Sequence, residues 1–393
     1  MQGHSSRLRQ RPGLVANLGL FVASLVLSLL AAEGAVRLLT PVGPALLVTD
    51  PGVGKRFVPG FHGRVFVDEA GREVEVRINS AGFRGPEWAR RRAPGGLRVA
   101  VVGDSMTAGI ATDEERTFVR RLESALAAQW PGRPVEVMNF GVSSASTGAE
   151  LATWREAVAP YGPDLVLLAF FNGNDLGDNC SRLTRAPRVY FELDGEGRLV
   201  PGQPPAPTPA LARWLDLHSR LYVWQKVATR RLRAATRSAA GGIEPGQRIF
   251  ALDGGPDVEY AWSLTGALLR GLRDEVEASG ARFGLVVVPC AEQVDDALWA
   301  DLRRQAGGAG LALDREEPSR RLGEIGASAG IPTVDLAPLL AAAARRPGGG
   351  SSSAAELYLL GRFHLGDEGH RVAAEGILRF LTQGTGRGLL DPR

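Results

Sequence analysis

The chain has 393 residues, 44% of them hydrophobic, and a formal net charge of only +3. This length allows one large domain or two small ones, each with a full hydrophobic core. The basic residues are spread along the chain and form no single stripe, so we expect no nucleic-acid partner.

The N-terminal segment predicts a membrane anchor. Residues 12–32 form a run without charged side chains, and this run is long enough to cross a bilayer as one helix of roughly 20 residues. Three arginines precede this run: Arg7, Arg9 and Arg11. By the positive-inside rule they hold a tail, 1–12, in the cytosol, so that a transmembrane helix, 13–33, carries the rest of the chain to the extracytoplasmic side of the cell membrane. The alternatives are a cleaved signal peptide, because small residues come directly after the run, and a buried core helix.

A connector, 34–96, comes after the anchor and contains short predicted strands. Residues 64–68 and 73–78 alternate apolar and polar side chains around the sequence Glu69-Ala-Gly-Arg. Alternation on both sides of a glycine-containing turn is typical of a β-hairpin. We therefore expect a hairpin ahead of the main domain.

From Leu97 the pattern changes to alternating strands and helices. Strands are predicted at 98–102, 135–140, 164–171 and 282–289, and helices at 117–130, 148–159, 257–279 and after His370. This alternation is typical of an α/β domain in which helices cover both faces of a parallel sheet. We expect that domain to occupy 97–385, with an insertion at about 181–255.

The insertion contains a predicted helix at 211–237. It carries Trp214, Leu221 and Trp224 and continues into several arginines. One interpretation is a lid or a helix that lies on the membrane surface. The other, commoner in proteins, is an amphipathic helix packed on the domain.

The positions with catalytic potential lie after the strands. Ser105 comes after a strand and the turn Gly-Asp, where a helix should begin. Ligands of open α/β sheets bind at the carboxyl ends of the strands, and the N–H groups of a helix N-terminus favour a developing oxyanion. The alternative for a serine at such a turn is a helix N-cap.

Two further polar segments lie after the next two strands. Asn139-Phe-Gly-Val-Ser-Ser144 comes after the second strand, and Asn172-Gly-Asn174-Asp after the third. The Asn174 amide can donate to an oxyanion. An Asx-turn that closes the strand is the alternative.

Two of the five histidines lie just before the last predicted helix, at His364 and His370. A hydroxyl needs a nearby base to become a nucleophile, and an imidazole titrates in the right range. We take His364 as the candidate base, and we expect a structural or capping role for His370. No metal is expected, because these histidines are six residues apart and no cysteine pair is spaced for zinc. No cofactor is expected either, because no phosphate-binding glycine loop or dinucleotide fingerprint lies after a strand.

Four segments together resemble the sequence blocks of the SGNH/GDSL hydrolase family: Gly-Asp-Ser105, Asn139-x-Gly, Asn174-Asp and His364-Leu-x-x-x-Gly-His. The resemblance extends from about 97 to 380, and the sequence from Ile78 to Gly85 is similar to the segment that precedes this domain in membrane-anchored bacterial members. It implies a flavodoxin-like three-layer α/β/α fold and hydrolysis of acyl esters. It further implies that Ser105 attacks, that His364 takes the proton, and that the Ser105 N–H, the Ser144 N–H and the Asn174 amide form the oxyanion hole.

Three positions depart from the family pattern. Ser144 and Asn172 stand where the family has glycines, and Gly361 stands where it has an aspartate three residues before the histidine. Without that aspartate, nothing obvious orients the imidazole, a role whose loss costs orders of magnitude in rate in other triads. A backbone carbonyl, or a carboxylate from elsewhere such as Glu356, is a candidate substitute.

Two functions of different classes are consistent with these patterns. The first is a serine-dependent O-acyl esterase, or an O-acyltransferase with the same acyl-enzyme on Ser105, acting on an acylated carbohydrate or lipid of the cell envelope. The second is a non-catalytic SGNH-like protein that binds such a ligand or assists an assembly, which the three departures favour.

The two cysteines, Cys180 and Cys290, are too few for a disulfide scaffold. They come after consecutive predicted strands of the central sheet, so a disulfide between them requires those strands to be neighbours and the Cα atoms to lie roughly 4.4–6.8 Å apart. We expect the two cysteines to be unpaired.

Overall fold

The computed structural model describes residues 13–391 with these exceptions: 44, 204, 207, 241–242, 244, 309, 346–352 and 360–362; residues 233–240, 245 and 353 are described as backbone only. The predicted cytosolic tail with its arginines, and Gly361, therefore lie outside the described residues. Two compact units divide the chain. A helical unit consists of Met1–Ala45 and Ala210–Ala234, and a sheet unit consists of Leu46–Pro209 and Ala235–Arg393.

The strands of the described residues are β1 (Leu47–Asp50), β2 (Gly54–Phe57), β3 (His62–Val67), β4 (Arg72–Arg77), β5 (Leu97–Gly103), β6 (Val135–Gly141), β7 (Leu165–Phe171), β8 (Phe191–Leu193), β9 (Leu199–Pro201), β10 (Arg282–Val288) and β11 (Thr333–Asp335). The helices are α1 (Leu14–Leu39), α2 (Ser105–Ala108), α3 (Phe118–Gln129), α4 (Thr147–Thr153), α5 (Asp175–Asn179), α6 (Ala210–His218), α7 (Arg220–Ala240), α8 (Pro256–Ala278), α9 (Ala291–Val294), α10 (Asp296–Gly308), α11 (Glu317–Ala329), α12 (Ala337–Ala344), α13 (Ser353–Leu357) and α14 (Asp367–Gln383).

The sheet unit is built on five parallel strands in the order β11-β10-β7-β5-β6. Every residue of β5 and β7 is buried, which accounts for their nearly continuous apolar sequences. If these five strands are numbered 1 to 5 in chain order, their order across the sheet, read from β6, is 2-1-3-4-5. This is the flavodoxin-like order, as predicted. The order reverses between β5 and β7, so the chain after these two strands borders the crevice where ligands of such sheets bind.

Helices cover both faces of the sheet. The crossover from β5 to β6 runs toward one edge, and the later crossovers run toward the other. Because such crossovers are right-handed, α3 lies on one face, where α14 packs against it, and α4 packs against α8 on the other. The predicted α/β/α layering is confirmed.

The predicted hairpin is also confirmed. β3 and β4 pair antiparallel, with Val67 opposite Arg72, and Val74 and Val76 are fully buried. The turn between the strands places Gly71 at a φ of 62°, in the left-handed region that favours glycine. The tip of this hairpin contains Glu69.

Several sequence-based boundaries needed correction. The predicted helix at 148–159 ends as α4 at Thr153 and continues as a π-helical turn, Trp154–Val158. The predicted helix at 211–237 is two helices, α6 and α7, which meet at Ser219. The Ser219 hydroxyl accepts a hydrogen bond from the N–H of Tyr222, as an N-cap does, which is why a new helix begins there.

The cysteines lie after neighbouring strands, since β7 and β10 pair in parallel. Cys180 and Cys290 are both buried and free. The disulfide considered from the sequence is therefore not formed.

Helix α1 is the one helix of the described residues that is long and apolar enough to cross a membrane. It has 26 residues, and the most apolar 18-residue window within it has a mean hydropathy of 2.3 and no buried residue. A signal sequence meets the same criterion.

Candidate active site

Ser105 begins the short helix α2, directly after β5. The preceding Gly103 is required by the tight turn, because a Cβ there would lie 2.2 Å from the Thr107 hydroxyl. The Asp104 carboxylate caps α2 by accepting the N–H of Met106 at 2.8 Å. Ser105 therefore stands at the carboxyl edge of the sheet, next to the point where the strand order reverses.

A hydrogen-bonded chain joins Ser105 to a histidine and a carboxylate. His364 Nε2 lies 2.9 Å from Ser105 Oγ, and His364 Nδ1 lies 2.7 Å from Glu69 Oε2. An ionised carboxylate can only accept, so the proton of the neutral imidazole belongs on Nδ1 and the Nε2 lone pair faces the serine hydroxyl. This is the tautomer that a general base for Ser105 requires.

The carboxylate of this chain was not predicted from the sequence. Glu356, the substitute considered for the missing aspartate, is exposed on α13, whereas Glu69 is the carboxylate in contact with His364. Glu69 comes from the hairpin tip, ahead of the whole α/β domain. Its position in a turn between two alternating strands carried no local signal of this role.

Ion pairs hold the hairpin against the segment that comes after Ser105. Arg72 donates to both carboxylate oxygens of Asp113, at 3.0 and 3.2 Å, and Arg77 donates to Glu114 at 3.1 Å. Asp113 and Glu114 lie between α2 and α3. The strand that leads out of the Glu69 turn is thus attached to the loop beside Ser105.

Arg84 reinforces this attachment from the buried side. Its guanidinium donates to the carbonyls of Gly109 and Thr112, the latter at 2.7 Å, and burial lowers its pKa to about 10. The Asn79 carboxamide oxygen accepts the N–H groups of Ala81 and Phe83 and closes the loop that presents Arg84. The sequence from Ile78 to Gly85 is therefore a clamp between the hairpin and the nucleophile segment.

The two predicted oxyanion donors beyond Ser105 are connected by one arginine. Ser144 has a φ of 67°, the only positive φ of a non-glycine residue among those described, and its carbonyl accepts a hydrogen bond from Arg188. Arg188 Nη2 also lies 2.9 Å from Asp178 Oδ1, and the Asn174 amide donates to Asp178 Oδ2 at 2.8 Å. We call this arrangement the Arg188 bridge; no pattern in the sequence indicated it.

A cavity of about 300 Å³ opens beside Ser105. Its lining residues are Phe66, Val67, Asp68, Glu69, Ser105, Ile110, Ala111, Ser143 and His364. The hairpin forms one wall and the loop after α2 forms another. Ser144, the neighbour of the lining residue Ser143, and Asn174 are not among these lining residues.

Three carboxyl groups are fully buried near the nucleophile: Asp104, Glu150 and Asp175. Burial raises the pKa of Asp104 to about 6 and the pKa values of Glu150 and Asp175 well above their ordinary range. Neither carboxyl oxygen of Glu150 has a hydrogen-bond partner among the described residues. Burial without a hydrogen-bond partner favours the neutral form of a carboxyl group, which is why the pKa of Glu150 is raised.

His370 has a structural position, as predicted. It is buried in the first turn of α14, which begins earlier than expected, and its Nδ1 accepts the N–H of Phe118 at 3.2 Å. Burial lowers its pKa to about 3, so the ring is neutral and caps α3. In the described part of the chain, no group of three His, Cys, Asp or Glu side chains is placed to hold a metal ion.

Comparison with known proteins identifies the family. The family model described as GDSL-like Lipase/Acylhydrolase matches residues 101–311, which include Ser105, Ser144 and Asn174 and end before His364. A comparison with curated protein sequences gives no significant match.

Solved structures with a similar arrangement include TesA (15% identity, TM-score 0.37), which aligns with 72% of this chain and 97% of its own. A lipase/acylhydrolase from Enterococcus faecalis (18%, TM-score 0.38) and the acetylxylan esterase Axe2 from Geobacillus stearothermophilus (14%, TM-score 0.38) each align with 76% of this chain and 99% of their own. These likenesses are too distant to transfer a substrate. The family match covers more than half of the sequence, and the chain belongs to the GDSL-like lipase/acylhydrolase family.

Proposed function

We propose that the protein is a serine-dependent hydrolase of carboxylic esters that works through an acyl-enzyme on Ser105. The observation that carries this proposal is the hydrogen-bonded chain Glu69–His364–Ser105. Its order of carboxylate, imidazole and hydroxyl is the one that activates serine nucleophiles on unrelated folds. Membership of an acylhydrolase family supports the same class of reaction.

In the proposed first half-reaction, Ser105 Oγ attacks the ester carbonyl carbon while His364 Nε2 takes the hydroxyl proton. The Glu69 carboxylate stabilises the resulting imidazolium. The carbonyl oxygen becomes an oxyanion, for which the N–H groups of Ser105 and Ser144 and the Asn174 amide are the donors. His364 then gives its proton to the leaving oxygen, the ester C–O bond breaks, and the acyl group remains on Ser105.

In the second half-reaction, His364 removes a proton from water as the water oxygen attacks the acyl carbon. The acid is released and Ser105 recovers its proton. If the acceptor is a sugar or lipid hydroxyl instead of water, the same acyl-enzyme makes the protein an O-acyltransferase. Both variants use the same residues.

We further propose that the substrate is an O-acyl ester on an envelope glycan or lipid, met on the extracytoplasmic side of the membrane that α1 spans. The apolar side chains of Phe66, Val67 and Ile110 suit an acyl chain in the cavity. The alternative of a non-catalytic protein is based on three departures, at Gly361, Asn172 and Ser144, and the contact between Glu69 and His364 weakens the argument from the first of them.

A fluorophosphonate probe tests the proposal, because it reacts only with an activated serine. The full chain in detergent or membranes should be labelled, and Ser105→Ala should abolish the labelling. Ser143→Ala is the matched control, since Ser143 lines the same cavity and should leave labelling intact. No labelling of the wild type, or equal labelling of Ser105→Ala, would show the proposal to be wrong. Release of acid from a p-nitrophenyl ester, with and without added alcohols, then separates hydrolysis from transfer.

A further inference from the structure

The C-terminal part of α1 marks the depth at which the helix leaves the hydrocarbon core of the membrane. The uncharged part of this helix runs from Leu14 to Ala32, about 28 Å at 1.5 Å per residue, and the hydrocarbon core of a bilayer is about 30 Å thick. Glu33 is the first charged residue after it. In a chain anchored by α1, Glu33 therefore lies where hydrocarbon gives way to headgroups.

Glu33 binds the start of another helix at this level. Its carboxylate accepts the Ser219 hydroxyl at 2.9 Å and the N–H groups of Arg220 and Leu221, each at 3.0 Å. Arg37, one turn further along α1, donates to the carbonyl of His218 at 2.8 Å. These contacts within the helical unit hold the junction of α6 and α7 at the predicted boundary of the membrane.

Large apolar side chains are exposed on both helices of this junction. The exposed fractions are 68% for Leu211 and 55% for Trp214 on α6, and 42% for Trp224 and 67% for Leu232 on α7. Leu211 and Trp214 are three residues apart, and Trp224 and Leu232 are eight apart, so each pair lies on one side of its helix. Tryptophan is enriched where headgroups meet hydrocarbon.

The charge of the same segment is strongly positive. Residues 210–234 contain six basic residues and one acidic residue, Asp216. Asp216 is paired with Lys226 at 2.5 Å, and Glu33 is paired with Arg37 at 2.7 Å, so the acidic groups are already neutralised within the unit. Apolar side chains combined with excess basic charge are typical of helices that lie on anionic membranes.

We propose that α6 and α7 lie on the anionic lipid surface of the membrane that α1 enters. Leu211, Trp214, Trp224 and Leu232 insert between the headgroups, and the excess basic charge of residues 210–234 strengthens the attraction of the two helices to the anionic lipids. This inference depends on α1 being a membrane anchor and is independent of the hydrolase chemistry. It also assigns a partner to the predicted helix at 211–237. From the sequence, this segment could be a lid, a helix on the membrane surface or a helix packed on the domain.

Depth-dependent quenching tests the proposal on the full chain in lipid vesicles. Leu211→Cys and Leu232→Cys are labelled with an environment-sensitive fluorophore, and lipids that carry a nitroxide on the acyl chain are added. Cys180 and Cys290 are buried, and the labelled wild type measures any reaction at them. We expect both labels to be quenched roughly threefold more strongly than a label at Arg230→Cys, which lies on the basic side of α7, about 160° around the helix from Leu232.

A label at Leu25→Cys, within α1, separates failure of the anchor from failure of the surface. Quenching at Leu25 without quenching at Leu211 and Leu232 would overturn the proposal while leaving the anchor in place. No quenching at Leu25 would overturn the anchor and the proposal together. Replacing the anionic lipid with a zwitterionic one, or adding salt, should weaken the quenching at Leu232, and quenching insensitive to both would contradict the charge contribution.

Discussion

The Glu69 carboxylate lies 2.7 Å from Nδ1 of His364, although the two residues are 295 positions apart in the sequence. The carboxylate comes from a hairpin that precedes the α/β domain, whereas Gly361, where the family places its aspartate, is only three residues from the histidine. A segment that looks like a connector thus supplies part of the site. A fragment that starts at Leu97 would lack this carboxylate.

The first prediction concerns this contact. Glu69→Gln keeps the side-chain volume but presents an amide that no longer stabilises the imidazolium, and it allows the wrong tautomer. We expect kcat for a p-nitrophenyl ester to fall by roughly 10² to 10⁴ with little change in KM. Glu69→Asp retains the negative charge on a side chain that is one methylene shorter, so its carboxylate lies farther from His364. This variant should recover part of the lost activity.

The matched control is Glu73→Gln, on the same hairpin. Glu73 is exposed, and its carboxylate lies 3.6 Å from the Arg64 guanidinium. Its substitution should leave kcat unchanged. Equal activity of Glu69→Gln and the wild type would show that the contact has no catalytic role.

The sequence predicted the parts of this protein whose signals are local. The alternation of apolar strands and helices indicated the flavodoxin-like sheet, and Ser105 and His364 stand out because short motifs surround them. Glu69 and Arg188 could not be found in this way. Each acts through a contact between segments distant in sequence, and a turn glutamate or a loop arginine has the same local pattern wherever its element packs.

The second prediction concerns the Arg188 bridge. Arg188→Ala removes the hydrogen bond to the Ser144 carbonyl and the partner of Asp178, so both proposed oxyanion donors, Ser144 and Asn174, lose their support. We expect kcat to fall roughly 10- to 100-fold, less than the loss of a donor itself, with KM nearly unchanged. Steady-state kinetics on one ester measures both constants.

Arg185→Ala is the control for this change. Arg185 is exposed and lies three residues before Arg188. It should behave as the wild type. Arg188→Lys keeps the charge but cannot reach both partners with a planar fork, so it should remain impaired. Full activity of Arg188→Lys would mean that charge alone matters and that the bridge geometry does not.

The third prediction concerns backbone strain at Ser144. Its φ of 67° lies in the left-handed region, which costs a non-glycine residue about 1 kcal/mol. Ser144→Gly should therefore raise the melting temperature by about 1–2 °C, while the N–H proposed as an oxyanion donor is retained. Ser143→Gly, next to it and without a positive φ, should give no gain. A lower melting temperature for Ser144→Gly would show that the serine side chain offsets the strain.

The fourth prediction concerns the buried Glu150. Burial raises its pKa well above the ordinary value of 4.5, so above that pH the native state binds a proton that the unfolded chain has released. Between pH 4.5 and the pKa of Glu150 in the native state, the native state binds more protons than the unfolded chain. Its stability therefore falls as pH rises through this window. Glu150→Gln has no proton to lose. Its free energy of unfolding relative to the wild type should therefore increase with pH, by at most about 1.4 kcal/mol per pH unit within this window, and its melting temperature should increase with it.

Tryptophan fluorescence during heating, from pH 5 to pH 9, measures this difference. Glu277→Gln is the matched control, because Glu277 is exposed and near the end of α8, and its curve should run parallel to the wild type. Parallel curves for Glu150→Gln would mean that Glu150 titrates alike in both states. Since Glu150 lies close enough to raise the pKa of Asp175, the variant should also reduce the pH dependence that Asp175 contributes. The substitution could lower the dependence of stability on pH by more than the titration of one group accounts for. That result would show that the titrations of the buried carboxyl groups are coupled.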